Sequence, residues 1–158
     1  MRDWSSDVCS SDLDPYYKSG LTIIVKKDNT TIKKFSDLAG KRVAVQIGTT
    51  SAKEVRKIQG VEVRDFNSSA ETFLELRAGG VDAVVNDRPV NDYYITKSGV
   101  TDVRALDELL TSEDYGIAMS KKNPDLVKKV NAALKKLREN GEYDKIYKKW
   151  FGTTSQGK

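Results

Sequence analysis

The chain contains no histidine. That removes the usual general base near neutral pH, the commonest metal ligand, and the Ser-His-Asp and Cys-His arrangements of covalent catalysis. Its single cysteine, Cys9, has no partner for an intrachain disulfide. Hydrolytic metal chemistry and thiol chemistry are therefore poor readings. No apolar run approaches the roughly 20 residues needed to span a bilayer. The start has neither the basic residues nor the apolar middle of a secretory signal. Internal repeats and low-complexity segments are absent too.

What remains is globular in character. The chain has 158 residues, 38% of them hydrophobic and 32% charged, which fits about one domain with an above-average charge load. The net charge of +4 raises the question of nucleic acid. The lysines fall in pairs, Lys128/Lys129, Lys135/Lys136 and Lys148/Lys149, interleaved with apolar positions. That pattern belongs to the solvated faces of amphipathic helices. No RNA-binding aromatic motif and no zinc-finger spacing accompany it, so no nucleic-acid partner is expected.

Residues Arg2 to Leu13 are polar, aperiodic and unlike the rest of the chain. The run WSSDVCSSDL is the translation of a common short-read sequencing adapter. Residues 1–13 are therefore expected to be a disordered artefact, with the genuine sequence beginning near Asp14. On that expectation Cys9 says nothing about redox environment, and the natural beginning of the protein, signal included, is lost.

From Leu21 the chain alternates strand and helix. Strands are expected over Leu21–Lys27, Arg42–Ile47, Val61–Phe66, Val81–Val85 and Val103–Leu106, where β-branched and apolar residues cluster. A short helical turn is expected at Phe35–Leu38, and helices over Thr50–Ile58, Ser69–Ala78 and Arg88–Lys97, the last with Pro89 in its first turn. This order indicates βαβ units and a parallel sheet covered on both faces. After Ser112 the pattern changes. Tyr115–Met119 reads as a short strand. Asn123 and Pro124 start a helix that ends at Asn140-Gly141. Its residues Leu126, Val127, Val130, Ala133, Leu134 and Leu137 are expected to form one buried stripe. A second helix, Tyr143–Trp150, adds Tyr143, Ile146, Tyr147, Trp150 and Phe151, yet the chain offers no evident surface for the two to pack against.

Parallel sheets place ligands beyond the carboxyl ends of their strands. Here that rule selects Gly48-Thr49-Thr50-Ser51 and Asn86-Asp87-Arg88. The first joins a strand to a helix N-terminus, where backbone N–H groups and threonine hydroxyls suit an anion. A plain helix cap by Thr49 or Thr50 explains the same residues. Asp87 can cap the helix at Pro89 or pair with a ligand cation. Taken together, the two loops answer the demand of a zwitterion, the α-carboxylate and α-ammonium of an amino acid.

Five runs in order, DPYYKSG (14–20), LAGKRVAVQIGTT (38–50), AGGVDAVVNDRPV (78–90), YGIAMSKKNPDL (115–126) and LRENGEYDKIYKKWFG (137–152), resemble the polar-amino-acid-binding proteins of bacterial ABC importers. The resemblance implies a periplasmic-binding-protein-like α/β fold: one complete parallel-sheet lobe plus the C-terminal helical part of an incomplete first lobe. Its implied divisions are a first-lobe remnant at 14–20, the second lobe at 21–112, a return into the first lobe at 113–152 and a polar tail at 153–158. It further implies that Thr50, with the neighbouring backbone of Gly48 and Thr49, contacts the ligand carboxylate. Asp87 takes the ammonium, and Gln46 and Asn86 lie at or near the ligand side chain. Glutamine-binding members carry a lysine and a histidine at those last two positions, so glutamine specificity does not carry over. The family's first-lobe arginine and aromatic residues have no counterpart in this chain. No catalytic residue, metal or other cofactor is implied. The implied partners are a free amino acid (of the glutamine, arginine or lysine class) and ABC permease subunits, with a monomeric intact protein outside the cytoplasm. A receptor or histidine-kinase sensor domain, an enzyme on the same fold, and an α/β domain without a ligand stay open as alternatives.

Overall fold

The computed structural model describes residues 8–9, 14–120 and 122–152. In chain order the elements are β1 (Val8–Cys9), β2 (Tyr17–Ser19), β3 (Leu21–Lys26), a 3-10 turn (Phe35–Leu38), β4 (Arg42–Gln46), α1 (Thr50–Val55), β5 (Glu62–Phe66), α2 (Ser69–Ala78), β6 (Ala83–Asp87), α3 (Arg88–Ser98), β7 (Val103–Ala105), β8 (Glu113–Tyr115), β9 (Met119–Ser120), α4 (Pro124–Glu139) and α5 (Glu142–Phe151). The chain divides into two units, residues 20–112 and residues 1–19 with 113–158.

The unit of residues 20–112 is built on a five-stranded sheet of order β5-β4-β6-β3-β7. Its strands alternate in the period-2 manner of a sheet buried on both faces. Leu21, Ile23, Val25, Val43, Val45, Ala83 and Val85 turn to one face, under Phe35, Leu38, Ala52 and Val55. Ile24, Ala44 and Val84 turn to the other, under Phe73 and Leu76 of α2 with Tyr94 and Ile95 of α3. All three of these helices begin at the carboxyl ends of the parallel strands β4, β5 and β6.

The expectation of a parallel sheet holds for β5, β4 and β6 and is corrected at β3. That strand runs antiparallel to both β6 and β7. An apolar strand buried on both faces has the same composition in either direction, so its direction is decided by the connections. At the amino ends of β4 and β6, Arg42 holds Asp82 with both Nη2 and Nε, at 2.8 and 3.2 Å. The guanidinium keeps the Asp82 carboxyl below its ordinary pKa. This clasp fixes the register Val43↔Ala83 at the end of the sheet away from the helix starts.

α1 is shorter than expected. After Val55 the chain tightens into i→i+3 bonds, with Lys57 N–H to Glu54 O at 3.1 Å and Ile58 N–H to Val55 O at 3.0 Å. At the other end of the unit, Gly20 lies against the last residues. A Cβ there would collide with the carbonyl oxygen of Thr111 and come within 3.3 Å of the Leu109 Cβ. Gly20→Ala is expected to destabilise the protein by about 1–3 kcal/mol, read as a lowered urea midpoint. An unchanged midpoint would show that the Thr111 backbone yields without cost.

In the other unit, two short antiparallel ladders form, Val8–Cys9 with Met119–Ser120 and Tyr17–Ser19 with Glu113–Tyr115. The first lies inside the segment expected to be disordered; the remainder of 1–13 and the tail at 153–158 lie outside the described residues. The single strand expected over Tyr115–Met119 is corrected to β8 and β9. Residues 116–118 separate them, and each pairs with a different partner. Tyr17 stacks on Tyr147 at 5.5 Å, their hydroxyls 3.1 Å apart. The Tyr143 hydroxyl donates to Tyr16 O at 2.7 Å. Asn123 precedes α4 but makes no side-chain cap bond. The buried stripe expected on α4 and α5 is also corrected, since no residue of either helix is buried. Leu126 and Ile146 are about half exposed, at 47% and 50%. Amphipathic spacing makes such a face, but burial needs an opposing surface.

Candidate functional site

The two sequence-selected segments meet in the unit of residues 20–112; Asn86 and Asp87, expected in a loop after a strand over Val81–Val85, are corrected to the last two residues of β6. β4 and β6 are neighbouring parallel strands in the register Ala44↔Val84. Two residues further along, they reach Gln46 and Asn86 at the same end of the sheet. The next segments, 47–51 and 87–88, therefore leave adjacent strands about 5 Å apart.

Gly48 has φ +76°, and a Cβ there would meet nothing within 4 Å. Glycine is needed for the left-handed backbone, with open space beside it. Thr49 is the cap of α1. Its Oγ1 donates to Gln46 O at 2.7 Å, accepts the Ala52 N–H at 3.3 Å and lies 3.0 Å from the Ser51 hydroxyl. Capping thus settles on Thr49 and leaves the exposed Thr50 hydroxyl uncommitted. The N–H groups of Thr50 and Ser51 have no hydrogen-bond acceptor among the described residues. Ser51 is itself only 2% exposed, so the accessible part of this edge is Thr50, whose N–H and hydroxyl suit a carboxylate.

Asp87 ends β6 and stands at the cap position of α3, yet its side chain makes no capping bond. Its backbone is gripped on the C-terminal side, where the Arg88 N–H donates to Gly20 O at 2.9 Å. Arg88 itself is committed elsewhere. Its Nε donates to Asp92 at 3.4 Å and its Nη1 to the Asp107 carbonyl at 3.4 Å. Burial pushes the Asp92 carboxyl above its ordinary pKa, against the opposing pull of Arg88.

Gln46 is pinned at both ends of its amide. Its Oε1 accepts from the Ser69 hydroxyl at 2.9 Å, and its Nε2 donates to Asn67 O at 3.3 Å. Asn86 is placed differently from Asp87. It is 3% exposed, and its amide donates to Thr72 Oγ1 on α2 at 3.4 Å. Asn86 therefore supports the loop from inside and presents almost no surface to a ligand.

Three polar residues that the sequence reading passed over complete the arrangement. Ser69 and Thr72 lie in the first turns of α2, where Thr72 Oγ1 donates to Ser69 O at 2.7 Å. Asn91 is fully buried beneath α3, and its amide donates to Thr22 O at 3.2 Å and to Asn86 O at 3.4 Å. Together, Gln46, Ser69, Thr72, Asn86, Asn91 and Thr22 make a hydrogen-bonded layer across the strand ends.

An α/β lobe with helix starts and one carboxylate at adjacent strand ends is suited to hold a small charged ligand. Residues 11–153 match the model of the bacterial extracellular solute-binding proteins, family 3, and the chain belongs to that family. Among curated relatives, it is similar to the L-cystine-binding protein TcyJ of Escherichia coli K12, 36% identical over 87% of this chain and 52% of the relative. It is similar also to the ABC transporter arginine-binding protein 1 of the same organism, at 35% identity over 87% of this chain and 57% of the relative. The chain thus spans about half the length of these proteins. Among solved structures, an ancestral cationic amino acid solute-binding protein, AncCDT-1, aligns with a TM-score of 0.83 and 40% identity, covering 96% of this chain and 65% of that one. Holo ArgBP from T. maritima aligns with a TM-score of 0.66 and 38% identity, covering 87% and 60%. No helix among the described residues is long and apolar enough to cross a membrane.

Proposed function

We propose that the protein captures a polar or cationic amino acid outside the cytoplasm and delivers it to an ABC import permease. Closure of two lobes around the ligand would perform the capture, with no covalent chemistry. Residues 20–112 supply the second lobe. One observation carries this reading: the exposed Thr50, whose N–H has no acceptor among the described residues, and the Asp87 carboxylate follow adjacent strand ends of one sheet. An anion-accepting edge beside a carboxylate complements the two charges of a free amino acid. The Thr50 hydroxyl and the N–H groups from Gly48 to Thr50 take the ligand carboxylate. Asp87 takes the α-ammonium. Gln46, its amide held by Ser69 and Asn67, borders the ligand side chain, and Asn86 fixes the loop from below. The relatives named for cystine and arginine support the ligand class. Periplasmic release or a lipid anchor would each place the protein where the family works, and the intact protein acts as a monomer.

The test is titration calorimetry of the full-length protein against a panel of the common amino acids and cystine. Saturable 1:1 binding of one polar or cationic amino acid is the expected result. Silence across the panel would overturn the reading. A second reading has one observation in its favour: AncCDT-1 is described as a precursor of cyclohexadienyl dehydratase. Chromatography of each incubated mixture separates the two, since an enzyme consumes its ligand and a capture protein returns it unchanged.

A further inference from the structure

Asn91 sits in the first turns of α3 with no exposed surface. Its two amide hydrogens go to backbone carbonyls on different strands, Thr22 O of β3 and Asn86 O of β6. Those residues are register partners across the antiparallel pair. The next rung is Leu21↔Asp87. Asn91 therefore staples the sheet one residue before Asp87, while the Arg88 N–H bond to Gly20 O fastens it one residue after. The staple has a cost. Its Oδ1 is buried with no hydrogen-bond partner among the described residues, which an apolar side chain of similar volume would avoid. A group that is held against its own desolvation, and spans the rung next to the Asp87 carboxylate, is placed for geometry more than for stability.

We propose that Asn91 is a positioning residue for the ligand site, its amide setting the backbone from which Asp87 presents its carboxylate to the ligand ammonium. The inference rests on the amino-acid reading above. It makes Asn91 a determinant of affinity without any contact to ligand.

The test uses Asn91→Leu in the full-length protein, alone and with Asp87→Asn. In the ligand-free state, the Arg88 amide is expected to exchange hydrogen about 10-fold faster than in the wild type, with the amides of β4 unchanged. Affinity for the amino acid is expected to fall about 10-fold through faster dissociation, the worth of two lost hydrogen bonds. The melting temperature should stay within about 3 °C, because the unpartnered acceptor leaves as well. In the Asp87→Asn background the same substitution should cost less than about 2-fold, since coupled residues are non-additive. Asn91→Ser, which keeps one donor, should recover part of the affinity. Equal losses in both backgrounds, or unchanged exchange and affinity, would overturn the proposal. If the wild type binds no amino acid, the parent reading falls, while the exchange rates still decide whether Asn91 holds the Asp87 turn. Should Asn91→Leu fail to fold, Asn91→Ser carries the same comparison.

Discussion

In the full-length protein, Asp87→Ala is expected to raise the dissociation constant for the amino acid by at least about 100-fold. The α-ammonium of a captured amino acid is removed from water, and a buried charge without its counter-charge costs far more than a surface pair is worth. Asp87 holds the position from which a carboxylate can answer that charge, at the end of β6. It makes no capping bond to α3. The melting temperature of the ligand-free variant separates a binding role from a structural one. Calorimetry and a thermal melt on the same sample measure both quantities. A dissociation constant within 3-fold (about 0.65 kcal/mol) would remove Asp87 from the site. A large fall in melting temperature would instead assign it a structural role.

Phe73→Ala carries the largest expected effect on stability, a loss of about 3–5 kcal/mol. Phe73 is 3% exposed and stacks on Tyr94 with ring centroids 3.9 Å apart and planes 13° from parallel. It joins α2 to α3 over Ile24, Ala44 and Val84. Truncation opens a cavity bounded by both helices, which cannot collapse without moving one of them. Against a typical total of about 5–15 kcal/mol, the loss is a large fraction of the whole. Urea unfolding followed by circular dichroism measures it. A change below about 1 kcal/mol would mean that α2 and α3 do not share a core.

The strands and helices of residues 20–112 were legible because local pattern and tertiary need agree there. α2 occupies the expected span Ser69–Ala78, with the Ser68 hydroxyl accepting the Glu71 N–H at its start and Gly79 left-handed at its end. The direction of β3 was not legible, since LTIIVK is equally apolar whichever way it runs. The placement of Asn86 was not legible, because the strand was expected to end at Val85 and instead runs to Asp87. Asn86 shares the parity of Ala44 and Val84, which face α2, while Asp87 shares that of Val85, which faces α1. In the observed strand the pleat sends Asn86 toward Thr72. Asn91 was hidden for a different reason. A polar residue in a helical turn ordinarily faces solvent, and its burial depends on α3 lying across the β3–β6 pair, which no local pattern encodes. The stripe on α4 and α5 was correctly spaced, but spacing predicts an apolar face and not its cover.

The unit of residues 20–112 begins and ends at one place. The Leu21 N–H donates to Thr111 Oγ1 at 3.1 Å, and the Leu110 N–H donates to Leu21 O at 2.9 Å. A module whose two ends are already side by side is portable. It can be set into a surface loop of an unrelated host through two short joints, or its ends can be sealed and the chain reopened at the exposed turn Lys27–Asp28. In either case the strand ends that carry Thr50 and Asp87 keep their register.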